Sequence, residues 1–272
     1  VLALFADVRL TPTQRRIAHT LVQHAGEAAW LSAAEVADLA GVSQPSVTRF
    51  AMALGHDGYP ALRQQLRAAA ADSPAGTAED PPNEVQHAVR QEMANLDRLA
   101  ADLADEDRLT GAGALLAASR PLPVIGLRAA APLAAYFGFF AAKVLPDVRV
   151  LDTGGTLLTD RLEQARAAGA SAMLAFVLPR YPRETLDALA EARTLGLRTV
   201  VITDSPVSPA AEDAGVTLIA RVGAGLVFDL HTAPMTLAMV LLQAICDAAP
   251  DEAQRRLEEF ETSAARRQIF VP

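Results

Sequence analysis

Between residues 122 and 220 five short apolar runs recur at helix-length intervals: LPVIGL (122–127), VRVLD (148–152), SAMLAFVL (171–178), RTVVITD (198–204) and VTLIA (216–220). They are apolar along most of their length instead of alternating, so each strand is buried on both faces. Helical stretches at 130–145, 156–168 and 183–195, a short helix after 204, and 232–248 fill the intervals. Strands of this kind separated by helices of about three turns form a parallel sheet covered on both sides, with right-handed crossovers. The sequence therefore predicts a doubly wound, five-stranded α/β domain.

Ligands of such sheets bind beyond the carboxyl ends of the strands, where the helices begin. Those ends read Gly126-Leu127-Arg128, Asp152-Thr153-Gly154-Gly155-Thr156, Pro179-Arg180-Tyr181-Pro182-Arg183 and Thr203-Asp204-Ser205-Pro206. Three arginines on two of four loops, beside small hydroxyl residues, predict an anion pocket. The competing reading has them reaching into solvent or pairing with the chain's many carboxylates. The Gly154-Gly155 pair fits a ligand loop or a plain turn equally well.

The first 70 residues carry different signals. Thr11-Pro12-Thr13-Gln14 and Ser32-Ala33-Ala34-Glu35 each place a hydroxyl three residues ahead of Gln or Glu, the pattern of a capping box. AEVADLAGVSQPSVTRFAMALG (34–55) then reads as a short helix, a turn at Gly41 and a second helix from about Ser43. Ala37 lets the two helices cross closely, and Val42, Val47, Phe50 and Leu54 form the inner stripe. This is a helix-turn-helix. Its outward side shows Gln44, Pro45, Ser46, Thr48, Arg49 and Met52 after Ser43, suited to base edges and phosphates. Six arginines stand against five acidic residues in 1–70, so non-specific DNA affinity is expected to be modest and tight binding to need two half-sites. A plain helical bundle is the alternative.

Residues 69–84, AAADSPAGTAEDPPNE, read as a linker, followed by a long helix at about 83–104. The whole chain of 272 residues carries a formal charge of −8, which argues against coating nucleic acid but leaves room for a local cationic face. The single cysteine, Cys246, reads as a buried spectator suited to a reducing compartment. The opening VLALFADVRL lacks the features of a secretory signal, and the apolar runs 129–145 and 232–248 read as buried helices instead of membrane spans. The five histidines are scattered, so no metal site and no cofactor are expected.

A helix-turn-helix, a linker and a five-stranded α/β domain together resemble the RpiR-like transcriptional regulators, which join a DNA-binding domain to a sugar-isomerase-type (SIS) domain. The likeness is strongest over 10–66 and in TVVITDSPVSPAAEDAGVTLI (199–219). It implies a helix-turn-helix domain at 1–70, a linker and connecting helix at 71–105, an effector domain at 106–250 and a C-terminal helix at 251–272 packed on a partner subunit. It also implies Ser43, Gln44, Ser46, Thr48 and Arg49 as DNA readers, a closing element at Gly58-Tyr59, and a dimer or higher oligomer bound to operator DNA. Pro45 joins the readers from the outward side of the helix, and the expected assembly is a cytoplasmic homodimer or homotetramer.

The second half departs from the family pattern. The first loop is Gly126-Leu127-Arg128 in place of Gly-x-Gly with a following Ser, and Pro179-Arg180-Tyr181-Pro182-Arg183-Glu184-Thr185 replaces Ser-x-Ser-Gly-[Glu/Asn]-Thr, keeping only Glu-Thr. Guanidinium forks match carboxylate as well as phosphate, so the expected effector is a small anionic metabolite of either kind. Its expected contacts are Gly126, Arg128, Thr153, Gly154, Gly155, Arg180, Tyr181, Arg183, Glu184, Thr185, Asp204, Ser205 and His231. Two rival functions remain: a phosphosugar isomerase using Glu184 or His231 as base, and an α/β module that only oligomerises. No catalytic residue is expected.

Overall fold

A computed structural model describes residues 10–24, 28–71, 84–212, 214–223 and 226–270. Most of the expected linker, residues 72–83, and the opening residues 1–9 lie outside them. The chain divides into two compact units, Val1–Pro81 with Pro206–Ser208, and Pro82–Ser205 with Pro209–Pro272.

The first unit holds α1 (Pro12–Gln23), α2 (Ala33–Ala40), α3 (Gln44–Ala53) and α4 (Tyr59–Ala71). Both capping boxes form: the Thr11 amide donates to Gln14 Oε1 at 2.8 Å, and the Ser32 amide to Glu35 Oε2 at 2.7 Å, each with its reciprocal bond. Gly41 ends α2 in the left-handed region at φ 61°, where its N–H meets the last carbonyls of the helix. That turn sends α3 across α2 over Ala37. Ile17, Leu21, Val36, Val47, Phe50, Leu62 and Leu66 are almost fully buried between the four helices. Val42 and Leu54, expected on the inner stripe, are half-buried at its ends.

The second unit is the expected α/β domain. Strands β1 (Leu122–Gly126), β2 (Val148–Leu151), β3 (Ala172–Val177), β4 (Arg198–Thr203) and β5 (Val216–Ile219) form one all-parallel sheet in the order β2-β1-β3-β4-β5. One face is covered by α8 (Thr156–Ala167) and α9 (Arg183–Thr194), against Ile125, Met173, Ala175 and Val201. The other carries α5 (Glu84–Asp102), α6 (Asp107–Ala117), α7 (Ala131–Ala141) and α10 (Thr232–Ala248), against Val124, Leu174, Phe176 and Ile202. Successive strand residues thus feed opposite cores, which is why the runs are continuously apolar.

α7 ends earlier than its apolar run, because the amides of Lys143 and Val144 turn back to the i−3 carbonyls of Phe140 and Ala141 and Pro146 stops further winding. α6 and α10 approach so closely at Gly113 that a Cβ there would meet the backbone of Ala244 at 2.6 Å. α11 (Pro250–Arg266) places Ala253 in the core of its own chain, and Glu252 pairs with Arg120.

No single described helix is long and apolar enough to cross a membrane. α10 and α11 pass by length and composition only as a pair, bent by 110° at their junction.

Ser119, which no sequence signal marks, stitches α6 to the sheet. Its buried hydroxyl accepts from the amides of Ser171 and Ala172 at 3.1 Å each and lies 2.7 and 2.8 Å from the carbonyls of Pro121 and Ala172. Ser119→Ala leaves the buried Ala172 amide and the part-buried Ser171 amide without that acceptor and is expected to cost about 1–3 kcal/mol. Urea unfolding followed by far-UV circular dichroism measures it, and an unchanged midpoint would contradict the assignment.

Candidate functional site

The exposed side of α3 is organised before any partner arrives. Ser43 stands at the N-cap position but makes no capping bond. Instead its Oγ shares a hydrogen bond of 2.9 Å with Ser46 Oγ, and Arg49 Nη2 donates to Ser46 Oγ at 3.2 Å. Ser43, Ser46 and Arg49 recur every three residues, so the row runs along one side of the helix. Gln44 and Pro45 are exposed, Thr48 is half-buried and Met52 is 62% exposed. In the first turn of α3, Pro45 has no amide proton and the Ser46 amide donates to the Ser43 carbonyl at 2.8 Å, so this helix start meets a phosphate mainly through its side chains.

In the second unit, the strand order reverses between β1 and β3, the switch point of a doubly wound sheet. The register pairs Gly126 with Phe176, so Arg128 and Arg180 emerge from the carboxyl ends of neighbouring strands. Gly126 has no room for a side chain, since a Cβ would lie 2.5 Å from the carbonyl of Ala130. Arg128 and Arg180 both adopt left-handed backbone angles, φ 54° and 59°, where L side chains cost about 1–2 kcal/mol each. Two strained arginines on facing strand ends form a feature that propensity alone opposes.

Arg183 opens α9 behind Pro182, and Gly155, at φ 79°, opens α8; neither helix has a side-chain cap. Among the described residues, none of the guanidiniums of Arg128, Arg180 and Arg183 has a hydrogen-bond or ion-pair partner. They do not pair with carboxylates, but all three are exposed, as the reading in which they reach into solvent has it. Glu184 reaches the loop after β2 and lies against Gly154, filling the space that a side chain there would take. Tyr181 donates to Asp204 Oδ1 at 2.8 Å, tying the loop after β3 to the one after β4, next to Ser205. Thr185 is 1% exposed and its Oγ1 has no hydrogen-bond partner. Thr153 Oγ1 donates to its neighbour Asp152 Oδ1 at 3.2 Å.

The carboxyl edge of the sheet therefore gathers all the expected effector residues except His231. That residue opens α10, and no described hydrogen bond links it to the arginine-bearing loops, although its Nε2 is buried and unpartnered. Beside it, Glu92 of α5, 6% exposed, accepts from the Thr232 amide at 3.1 Å and from Asn95 Nδ2 at 2.9 Å. Gly223 leaves the room that this carboxylate occupies. Nothing in the local sequence distinguishes Glu92 from the exposed acids of the same helix. Cys246 is half-buried, and burial, with Asp247 nearby, pushes its thiol pKa up, against a reactive role.

A helix-turn-helix unit and a parallel α/β unit with an anion-suited carboxyl edge define the class of a two-domain DNA-binding regulator. Comparison with known proteins agrees: residues 6–73 match the helix-turn-helix domain of the rpiR family and residues 115–244 match the SIS domain. The chain belongs to the RpiR-like transcriptional regulators.

It is similar to the HTH-type transcriptional regulator HexR of Pseudomonas aeruginosa, 33% identical over 131 residues, 46% of either chain. It is also similar to the uncharacterised regulator YfhH of Escherichia coli, 40% identical over 65 residues, 24% of this chain and 23% of that one. The matches thus span half or less of these relatives. The sugar isomerase domain of an RpiR transcription factor from Sphaerobacter thermophilus superposes with a TM-score of 0.56 at 26% identity, covering 64% of this chain and 97% of that one. Vibrio vulnificus NanR, solved with ManNAc-6P, shares the fold over 94% of both chains, with a TM-score of 0.58 at 15% identity.

Proposed function

We propose that the protein is a transcription factor whose α3 reads operator DNA and whose α/β unit senses a small anionic metabolite. The observation that carries the DNA-binding reading is the mutually hydrogen-bonded Ser43–Ser46–Arg49 row, with Ser43 and Arg49 exposed and Ser46 half-buried, on the helix that follows the Gly41 turn. A guanidinium held by a serine hydroxyl is pre-aimed for a guanine edge or a phosphate. Gln44 precedes the row and suits adenine, and Pro45, Thr48 and Met52 offer methyl-sized contacts. Arg49→Ala is expected to weaken operator binding by about 1–3 kcal/mol, roughly 5- to 150-fold, without lowering the melting temperature. Genome-wide mapping of bound sites supplies the operator and fluorescence anisotropy the affinity; an Arg49→Ala protein that binds as tightly as the parent would contradict the reading.

Three exposed guanidiniums without a partner among the described residues, two uncapped helix starts and the buried Thr185 hydroxyl support the sensing role at the edge formed by Gly126, Arg128, Thr153–Gly155, Arg180–Thr185, Asp204 and Ser205. NanR, which shares this fold, binds a phosphorylated sugar; the arginines here suit a carboxylate equally. The protein carries out no reaction in this reading, because Glu184 is lodged at Gly154 and His231 stands apart from the loops.

Dimeric or tetrameric assembly in the cytoplasm completes the proposal, since one recognition helix with a single arginine calls for two half-sites. Val85, Val89 and Met93, each more than half exposed and four residues apart on α5, suit such an assembly. The units of function are then 1–70 for DNA, 71–105 as connection, 106–250 for the effector and 251–272 as closing helix.

A further inference from the structure

We infer that Trp30 and Arg67 form a second DNA contact, on the sugar–phosphate backbone, outside the recognition helix. The inference rests on α3 as the helix that enters the groove. Trp30 is the only tryptophan in the chain, yet it is 70% exposed, two residues before the cap of α2. Arg67 of α4 lies over it, with the guanidinium carbon 4.7 Å from the ring centroid, and its Nε donates to the Ala29 carbonyl at 2.9 Å. Tyr59, at the start of α4, donates to the Leu31 carbonyl at 3.1 Å, so two bonds from α4 fix the backbone on either side of Trp30.

This geometry spends one donor of Arg67 on holding the side chain and, among the described residues, leaves the two terminal nitrogens of this exposed residue, a planar fork, without a hydrogen-bond partner. Stacking on an aromatic face and anchoring through Nε remove most of the freedom that a phosphate contact would otherwise have to freeze. Arg63 stands one helical turn earlier on α4 and acts electrostatically on Tyr59, placing a second cation on the same side.

Position supplies the partner. In helix-turn-helix docking, the first helix of the motif crosses the phosphate backbone while the second enters the major groove. The segment leading into α2 is therefore at the backbone. At the start of α2 the amides of Ser32 and Glu35 are already taken by the capping box, those hydrogen bonds hold the Glu35 carboxyl below its usual pKa, and its negative charge at that terminus disfavours an anion. A phosphate at this end is better met by side-chain cations, and α3 itself brings only Arg49. Arg67, with Arg63 behind it, fills that need.

The test uses the full chain and a 30-base-pair duplex of mixed sequence, with affinity measured between 50 and 200 mM salt and tryptophan emission followed in the same titration. Trp30 emission is expected to change on DNA addition. Arg67→Ala is expected to flatten the slope of log affinity against log salt by about 0.9, the signature of one lost phosphate contact, equally for any sequence. Arg67→Lys keeps the charge and is expected to keep the slope, and unchanged circular dichroism melts show that both variants fold.

An Arg67→Ala slope equal to that of the parent, with Trp30 emission unmoved at saturating DNA, overturns the proposal; such a surface would serve a protein partner instead. Arg49→Ala run in parallel separates the two failures. Lost binding there with an unchanged Arg67→Ala slope removes only this contact, whereas two variants that both bind like the parent remove the recognition helix as well.

Discussion

Phe50→Ala is expected to unfold the DNA-binding unit while leaving the α/β unit intact. The ring is fully buried on the inner side of α3, in a cluster with Ile17, Leu21, Val36 and Val47. Truncating such a ring costs about 3–5 kcal/mol. A unit of some sixty residues has a stability on the order of 3–9 kcal/mol, at 0.05–0.15 kcal/mol per residue. The loss therefore takes most of what is available. Trp30 belongs to this unit and reports on it alone, whereas far-UV circular dichroism is dominated by the larger α/β unit. The expected result is a tryptophan transition shifted down by ten degrees or more with the circular dichroism transition near its original place. A single transition moving in both signals would mean that the units do not unfold separately.

The second large effect concerns the arginines at the switch point. Replacing both Arg128 and Arg180 by Gly is expected to abolish the response to anions without destabilising the fold. Glycine adopts the left-handed angles of 54° and 59° freely, so each substitution relieves about 1–2 kcal/mol of backbone strain. That gain is offset by the roughly 0.5–1 kcal/mol that glycine costs in chain entropy.

Two charge-assisted bonds lost at about 1.5–3 kcal/mol each weaken an anionic ligand by roughly two to four orders of magnitude. The measurement is a thermal shift across phosphorylated sugars and small carboxylates: the parent gains in melting temperature with its effector and the double variant does not, while the ligand-free curves coincide. A melting temperature that falls sharply without ligand would show that these arginines hold the fold, and a retained shift that they do not hold the effector.

How much of this was legible in the sequence depends on which residues carry the signal. Capping boxes at Thr11 and Ser32, the Gly41 turn and the inner positions Val47 and Phe50 are local and stereochemically strict, so a single sequence displays them. The sheet was legible for a related reason: Val124 and Ile125 feed opposite cores, and only a two-sided burial makes both apolar. The strand ends then placed the residues proposed for the effector, His231 apart, at one edge.

What stayed hidden depends on three-dimensional neighbours. Arginine in a left-handed conformation has no sequence signature, and Ser119 and Glu92 look like ordinary surface residues until β3 and α10 arrive beside them. The Ser43–Ser46–Arg49 row lay within the expected DNA readers, but its internal bonds replace the N-cap that Ser43 alone would suggest. His231, expected among the effector contacts, stands instead at a helix start that the Thr232 amide ties to Glu92 of α5.

The most direct test of a ligand-responsive regulator is the affinity of the full chain for its mapped operator, titrated with a panel of phosphorylated sugars and small carboxylates at fixed salt. The expected result is specific binding that at least one anion changes by tenfold or more, with the change lost in the Arg128→Gly, Arg180→Gly variant. Operator affinity that no anion moves, or binding no tighter than to mixed-sequence DNA, would contradict it.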